Sequence, residues 1–126
     1  LDLGMRCSAE EGELAPVRLA LVAASRRARL PAPIDGVTVD TGNEARLQAD
    51  AQRARAFGFG AKLCIHPAQV AAVNAAFAPT AAELDWARRV VEGARLHAGA
   101  AFSLDGRMVD LPVILAARHT LAQASA

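Results

Sequence analysis

The sequence predicts an α/β fold, because two short strand-like segments are separated by a segment with helical periodicity. The segment IDGVTVD at 34–40 is rich in β-branched residues, as strands are. The segment AKLCIHP at 61–67 is an almost unbroken apolar run, which is typical of a strand buried on both faces. Strands that alternate with helices of this length pair in parallel, so we expect a parallel sheet.

Four helices are predicted along residues 8–96, and a fifth is predicted at the end of the chain. Three of them begin with a capping-box sequence, in which Ser or Thr and a Glu three residues later each bind a free amide at the helix start. Those pairs are Ser8–Glu11, Thr41–Glu44 and Thr80–Glu83. Pro67 suits the first turn of another helix, and the GFG of 58–60 ends the helix before it. A weaker strand is expected at 101–104.

The composition indicates one globular domain rather than a disordered or membrane-spanning chain. Of 126 residues, 53% are hydrophobic and 21% are charged, and no apolar run approaches the roughly 18 residues that span a bilayer.

The net charge of +1 argues against nucleic acid as a partner. The arginines at 25–29 are interpreted as a solvated helix end, with a phosphate-binding patch as the alternative. Because no secretory signal is visible and Cys7 and Cys64 match no metal or redox pattern, we expect a cytoplasmic protein with reduced thiols and no membrane partner.

Two strands with four or five helices do not make a complete architecture, so we expect the chain to be part of a larger α/β fold. Polar residues end both strands, Asp40 the first and His66 the second, directly before a loop and a helix. In a (β/α)8 barrel this edge of the sheet carries the chemistry, and a doubly wound sheet uses the same edge. The pattern leaves both folds open, although no Gly-rich phosphate loop follows either strand.

Four segments together resemble the C-terminal half of the citrate lyase β-subunit family, which includes malyl-CoA and citramalyl-CoA lyases. They are PAPIDGVTVD, GFGAKLCIHPAQV, AFAPTAAELDWARRVV and DGRMVDLPVILAARHTLAQA. The resemblance covers essentially the whole chain, and KLCIHPAQV and GRMVDLP are its specific parts. It implies the C-terminal portion of a (β/α)8 TIM barrel, a fold of ~250 residues. Residues 1–100 would belong to the lyase domain, and 101–126 would form a C-terminal extension, a turn and a helix that pack on a neighbouring subunit.

The resemblance also implies an activity, the Mg²⁺-dependent cleavage or formation of a carbon–carbon bond in a hydroxyacyl-CoA or acyl-carrier-protein thioester. The family's metal ligands, a Glu and an Asp, would fall before Leu1, so no metal ligand is assigned within this chain. The chain alone is therefore expected to be inactive, and the whole protein is expected to be a homo-oligomer of the trimer type. The alternative is a non-catalytic scaffold or interaction subunit that kept the fold and lost the metal ligands.

Asp110 is the candidate catalytic residue. It matches the Asp of a Gly-x-Met-Ile/Val-Asp segment that the family's C-terminal extension contributes to the active site of a neighbouring subunit. By that resemblance, its carboxylate would move a proton at the α-carbon of the thioester. From the spacing alone, an Asp two residues before Pro112 indicates a helix N-cap, and the two roles do not exclude each other.

His66, Asp40 and Arg107 are the candidate substrate-binding residues. His66 is equally consistent with a structural histidine that ties its loop to a neighbour, and Asp40 with support for the helix cap that follows it. Arg107 suits a carboxylate or a CoA phosphate, with a solvated turn residue as the alternative. Lys62 is not expected to form a Schiff base, because the family uses a metal. Trp86 is expected to pack on its helix rather than to offer a stacking platform.

Overall fold

The structure, a computed structural model, describes residues 4–8 and 10–124 and divides the chain into two compact units, Leu1–Phe77 and Ala78–Ala126. The first unit contains a 3₁₀ turn (Gly12–Leu14), α1 (Ala15–Arg27), β1 (Ile34–Asp35), α2 (Glu44–Phe57), β2 (Ala61–Lys62) and α3 (Ala68–Phe77). The second unit contains α4 (Ala81–Leu96), β3 (Phe102–Leu104), β4 (Arg107–Val109) and α5 (Leu111–Gln123). The predicted α/β class is confirmed. Among the described residues, no helix is both long enough and apolar enough to cross a membrane.

The first unit is built on a parallel pair of strands joined by a helix. Ile34 lies opposite Ala61 and Asp35 lies opposite Lys62, and the amide of Leu63 donates to the carbonyl of Asp35 at 3.1 Å. The parallel pairing predicted from the sequence is confirmed. The predicted strand lengths, 34–40 and 61–67, are wrong, because the ladder continues for only two residues in each strand before the chains separate.

One face of this sheet carries buried charged residues, and the other carries exposed aliphatic residues. Asp35 and Lys62 are 5% and 7% exposed, and Asp35 binds Arg18 of α1, so the charged residues lie toward the helices. Ile34, Leu63 and Ile65 are 59%, 54% and 54% exposed. The prediction that 61–67 is buried on both faces is therefore wrong for the chain as described, because its aliphatic side chains lie on the side away from these helices.

Helix α2 supplies most of the apolar core of the first unit and ends at a glycine. The buried apolar side chains are Leu47, Ala51, Ala54, Phe59 and Val73. Gly58 follows the helix with φ of 95°, a left-handed conformation that side chains disfavour, and a Cβ there would lie 3.2 Å from Cγ1 of Val22. The predicted end of this helix at the GFG segment is confirmed.

One of the three predicted capping boxes forms. Thr80 accepts a hydrogen bond from the amide of Glu83 at 3.2 Å, and the Glu83 carboxylate accepts one from the amide of Thr80 at 2.7 Å. The Thr41–Glu44 box is wrong, because Asn43 is the N-cap and its side chain already accepts from the amide of Arg46.

The predicted Ser8–Glu11 box is also wrong, because its carboxylate is bound elsewhere. The Glu11 side chain is ion-paired with Arg18 at 2.6 Å and with Arg53 at 2.9 Å. Ser8 instead donates its hydroxyl to the Glu13 carboxylate at 3.0 Å, and α1 begins only at Ala15.

The second unit packs α4 against α5 and carries an antiparallel hairpin, β3–β4. Its core contains Ala87, Val90, Ala94, Val109, Ile114 and Ala117. Asp105 and Gly106 join the strands with φ of 51° and 74°, so both central residues are left-handed, as a type I′ turn requires. The expected strand near 101–104 is confirmed as β3. Its partner β4 was not predicted, although an Asp-Gly pair between strands favours such a hairpin.

Candidate functional site

The candidate site residues fall into two groups, each within one compact unit. Asp40 and His66 follow β1 and β2 in the first unit, at the carboxyl ends of the parallel strands. Arg107 and Asp110 lie on and directly after β4 in the second unit. Asp40 and His66 were predicted to end these strands, but the strands end at Asp35 and Lys62, so both residues lie in the loops before the following helices. Their role in binding substrate stays a prediction.

Asp40 is an exposed residue that lines a cavity of about 320 Å³ in the first unit. Its Oδ1 accepts a hydrogen bond from the amide of Gly42 at 3.1 Å, which shapes the turn into α2. The cavity is lined by Glu11, Val37, Thr38, Val39, Asp40, Asn43, Arg46 and Asp50. Asp40 therefore both supports the turn before the helix, as the structural alternative predicted, and faces a space that a polar ligand could enter.

Asp50 forms the buried wall of that cavity and was not predicted from the sequence. Its carboxylate is hydrogen-bonded to Thr38 at 2.8 Å, Arg46 at 2.9 Å and Arg53 at 2.8 Å. Burial raises the pKa of Asp50, but the hydrogen bonds from Thr38 and Arg46 and the charges of Arg53 and Arg46 outweigh it, so the pKa lies below its ordinary value. Asp50 is therefore a fixed anion at neutral pH, which suits it to hold Thr38 and the arginines in place.

The side chain of Lys62 is buried and bound by backbone and carboxylate groups of the first unit. Its side chain is 2% exposed, and its Nζ donates to the carbonyl of Gly36 at 2.6 Å and lies 3.6 Å from Oδ2 of Asp35. The Asp35 carboxylate also pairs with Arg18, whose pKa is raised because the Glu11 and Asp35 carboxylates outweigh the opposing effect of burial. A buried, ion-paired ammonium supports the expectation that Lys62 is structural.

His66 is an exposed side chain near the end of the loop after β2, directly before Pro67 and α3. Its Nδ1 accepts a hydrogen bond from the amide of Ala68 at 3.2 Å, and its own amide donates to Oε1 of Gln69 at 3.3 Å. These contacts favour the structural alternative, a histidine that ties its own loop to α3. With Nδ1 occupied as an acceptor, Nε2 is the nitrogen that faces away from the loop contact and is available to a ligand.

Gln69 connects the two strand-end loops and was also not predicted from the sequence. Its side chain is fully buried, its Nε2 donates to the carbonyl of Thr38 at 2.8 Å, and its Oε1 accepts from the amide of Ile65 at 2.9 Å. No signal in the sequence indicates this role of Gln69, which lies inside the alanine-rich helix α3. Helical periodicity predicts which face of a helix is buried, but it does not predict which loop a side chain on that face will bind.

Asp110 is the N-cap of α5, as its spacing to Pro112 predicted. Its Oδ1 accepts a hydrogen bond from the amide of Val113 at 3.3 Å, and its backbone carbonyl accepts from Ile114 at 3.0 Å. The preceding residue, Val109, is fully buried, and its packing in the core holds the backbone in place directly before the N-cap. Within residues 4–8 and 10–124, no hydrogen bond occupies Oδ2, so a half-buried carboxylate can cap the helix and retain one oxygen for a second partner.

Arg107 lies over the ring of Trp86, with Cζ 5.5 Å from the ring centroid. Arg107 is exposed, so this cation–π contact is worth about 0.5–1 kcal/mol and leaves the guanidinium accessible to solvent. Trp86 packs against the core of the second unit, which confirms its predicted packing role. A contact of Arg107 with a substrate phosphate or carboxylate stays a prediction.

The described residues do not form a metal centre. Among residues 4–8 and 10–124, no group of three or more His, Cys, Asp or Glu side chains is arranged to hold a metal ion. The carboxylates of Glu11, Asp35 and Asp50 are instead bound to arginines, and Asp35 also lies near Lys62. The side chains present therefore do not fit a magnesium ion, and no chemical step of this chain is derived through one.

Comparison with known proteins identifies the family. No protein-family model matches the chain. Over 120 residues, the chain is 40% identical to citrate lyase subunit beta of Escherichia coli (strain K12), covering 93% of this chain and 39% of that protein. The chain belongs to the citrate lyase β-subunit family. Membership in this family, inferred from four segments of the sequence, is thereby confirmed.

Other members of the citrate lyase β-subunit family, and their relatives, extend this result. The chain is 37% identical over 120 residues to a (3S)-malyl-CoA thioesterase of Cereibacter sphaeroides (strain ATCC 17029 / ATH 2.4.9), covering 88% of this chain and 42% of that protein. It also superposes on the crystal structure of CitE from Mycobacterium tuberculosis in complex with magnesium, acetoacetate and coenzyme A. That match has a TM-score of 0.77 and 37% identity, and covers 88% of this chain and 41% of CitE. The chain spans about two fifths of the length of these proteins.

Proposed function

We propose that this chain is the C-terminal part of a carbon–carbon lyase of the citrate lyase β-subunit type, which cleaves or forms a hydroxyacyl-CoA thioester. The observation that carries the proposal is the structural likeness to CitE, a protein captured with coenzyme A and a keto acid. Coenzyme A is taken as the thioester carrier for the same reason. Magnesium would serve the reaction as a Lewis acid, held by residues other than those described here.

The sheet of the first unit supports the proposal that the whole fold is a (β/α)8 barrel. Its aliphatic face, which includes Ile34, Leu63 and Ile65, is exposed in this chain. In a barrel, that face would be covered by the side chains of the remaining strands. Residues 101–126 would then form the extension that follows the barrel, and a homo-oligomer would bring this extension to a neighbouring subunit.

Asp110 is the proton-transfer group in this proposal. As the carbon–carbon bond breaks, the hydroxyl gives up its proton and becomes the carbonyl of the released keto acid, and the electron pair of that bond stays on the α-carbon of the remaining thioester. Oδ2 of Asp110 can accept the hydroxyl proton and deliver it to that carbon, which completes the acyl-CoA product, while Oδ1 remains the cap of α5. In the reverse direction, the same carboxylate removes the proton from the α-carbon, creates the carbon nucleophile and passes the proton to the oxygen of the attacked keto group.

Asp110→Asn in the full-length protein tests this role with little change in structure. Asparagine is as good an N-cap as aspartate, but its amide cannot exchange a proton in this way. Turnover of the hydroxyacyl-CoA is expected to fall by about 10²-fold or more, with unchanged thermal stability. Asp105→Asn, in the exposed turn of the same hairpin, is the matched control and is expected to keep wild-type turnover. Unchanged turnover in Asp110→Asn would refute the catalytic role.

Thioester hydrolysis is the second candidate function, because one relative at 37% identity is a (3S)-malyl-CoA thioesterase. The two reactions give different products from one substrate. A lyase releases a keto acid and a shorter acyl-CoA, whereas a thioesterase releases free coenzyme A and the intact hydroxy acid. Chromatography of the products separates them, and the absence of both sets would favour a non-catalytic scaffold.

A further inference from the structure

We propose that Gln69 is a positioning residue that holds the two loops at the carboxyl end of the β1–β2 sheet at a fixed separation. The inference rests on the proposed function, since it assigns a task at the edge of the sheet where that function places substrate. The hydrogen bonds of the Gln69 side chain go to the backbone of the loops that carry Asp40 and His66, so it would act on these two residues through that backbone.

The geometry of the Gln69 carboxamide is that of a bridge. Its Nε2 donates to the carbonyl of Thr38 at 2.8 Å, on the loop after β1. Its Oε1 accepts from the amides of Ile65 at 2.9 Å and His66 at 3.3 Å, on the loop after β2. Oε1 accepts two hydrogen bonds and Nε2 donates one, and the residue is 2% exposed, so water does not compete for these bonds.

The register of the sheet explains why a side chain is needed at this place. Ile34 pairs with Ala61 and Asp35 pairs with Lys62, so the same register would place Thr38 opposite Ile65. The backbone ladder has ended by then, and the two strands have separated. The Gln69 carboxamide joins the carbonyl of Thr38 to the amides of Ile65 and His66 across this gap, at the width of one side-chain amide rather than of a direct bond.

Both bridged segments lead directly to the candidate site. Asp40 is two residues beyond Thr38, and His66 is next to Ile65. Thr38 is held a second time through its hydroxyl by Asp50 on α2, so the loop after β1 is fixed to α2 and α3 at one residue. Loss of the bridge leaves a carbonyl and two amides without their partner, and these groups can regain hydrogen bonds only if the loops move toward water.

Two substitutions in the full-length protein test the bridge, with two matched controls. Gln69→Leu removes all three hydrogen bonds at similar volume, and Gln69→Glu keeps the acceptor for Ile65 and His66 but, when ionised, cannot donate to Thr38. Val73→Ala, in the core on the same helix, is the control for lost stability with the bridge intact. Gln52→Leu, on the exposed side of α2, is the control for loss of a surface glutamine.

The first measurement is amide hydrogen exchange, which does not depend on activity. Gln69→Leu is expected to raise the exchange rates of the Ile65 and His66 amides by about tenfold, beyond any change in the rest of the first unit. Gln69→Glu is expected to keep those two amides protected. Val73→Ala is expected to raise exchange evenly. An even increase in Gln69→Leu, without selective loss at Ile65 and His66, overturns the bridge.

The second measurement is steady-state turnover of the hydroxyacyl-CoA. A displacement of about 1 Å at a site can cost about 10²-fold, so Gln69→Leu and Gln69→Glu are expected to lower kcat/KM by between 10-fold and 10²-fold. Both controls are expected to stay within about twofold. Wild-type kinetics in both Gln69 variants overturn the positioning role. If the wild-type protein cleaves no hydroxyacyl-CoA, the proposed function fails, and the exchange result still supports or overturns the bridge.

Discussion

Gly93 permits the close packing of α4 on the hairpin that leads to Asp110, and its replacement by alanine has a calculable effect. A Cβ at this position would overlap Cε2 of Phe102 and would lie 2.5 Å from its Cζ. Ordinary contacts between carbon atoms are about 3.5–4.0 Å. The ring must therefore move by about 1 Å or more, and it is stacked on His97 with a centroid distance of 4.7 Å, so the movement also disturbs that contact.

Two opposing energies decide the outcome of Gly93→Ala. Overpacking of this kind costs about 1–3 kcal/mol, while alanine is favoured over glycine inside a helix by about 1 kcal/mol. We expect a net loss of about 1 kcal/mol in the free energy of unfolding. In a Phe102→Val background, the ring atoms are absent, so the same substitution is expected to stabilise the protein by about 0.5–1 kcal/mol.

Urea unfolding of the chain measures both effects. Trp86 is the only tryptophan in the chain and packs against the core of the second unit, so its fluorescence reports on the affected region. The midpoint and slope of each transition give the free energy of unfolding for the two single variants, the double variant and the wild type. The reasoning is refuted if Gly93→Ala has the same sign in both backgrounds.

Two further predictions concern stability. Thr80→Ala removes the capping box of α4 and is expected to lower the free energy of unfolding, measured in urea, by about 1 kcal/mol. Thr41→Ala removes no cap and is expected to leave that free energy almost unchanged. Equal effects of the two substitutions would contradict the cap assignment. Because the pKa of Asp50 is lowered on folding, its contribution is present above the ordinary Asp pKa of about 3.9 and is lost as pH falls through the folded value. The stability difference between wild type and Asp50→Asn is therefore expected to shrink below about pH 4 in a series of unfolding curves, and a difference that grows there would contradict it.

Local signals in the sequence predicted a helix start where the capping side chains bind the helix amides themselves. Thr80 and Glu83 cap α4 as expected, and both are exposed at its start. Glu11 failed as a capping residue because two arginines, one of them 42 residues away in sequence, bind its carboxylate. The spacing of a capping box contains no information about such distant partners.

The candidate site was predictable in position but not in construction. Asp40 and His66 could be assigned to the edge at which parallel strands present their carboxyl ends. The strand ends themselves were predicted too late along the chain, because the ladder stops at Asp35 and Lys62. Asp50 had a usable signal, because it interrupts the apolar positions Leu47, Ala51 and Ala54 on one face of α2. Gln69 had none, because its role depends on the separation of two strands beyond the point at which their ladder ends.

The β3–β4 hairpin also has a consequence for the order of folding. Its strands are joined by Asp105 and Gly106 alone, whereas residues 36–60 separate β1 from β2. The entropy lost in closing a chain segment grows with its length, and hairpins form in about 1–10 μs. We therefore expect β3 and β4 to pair before β1 and β2 do, so that Asp110 takes its place at the start of α5 while the polar edge of the parallel sheet is still unformed.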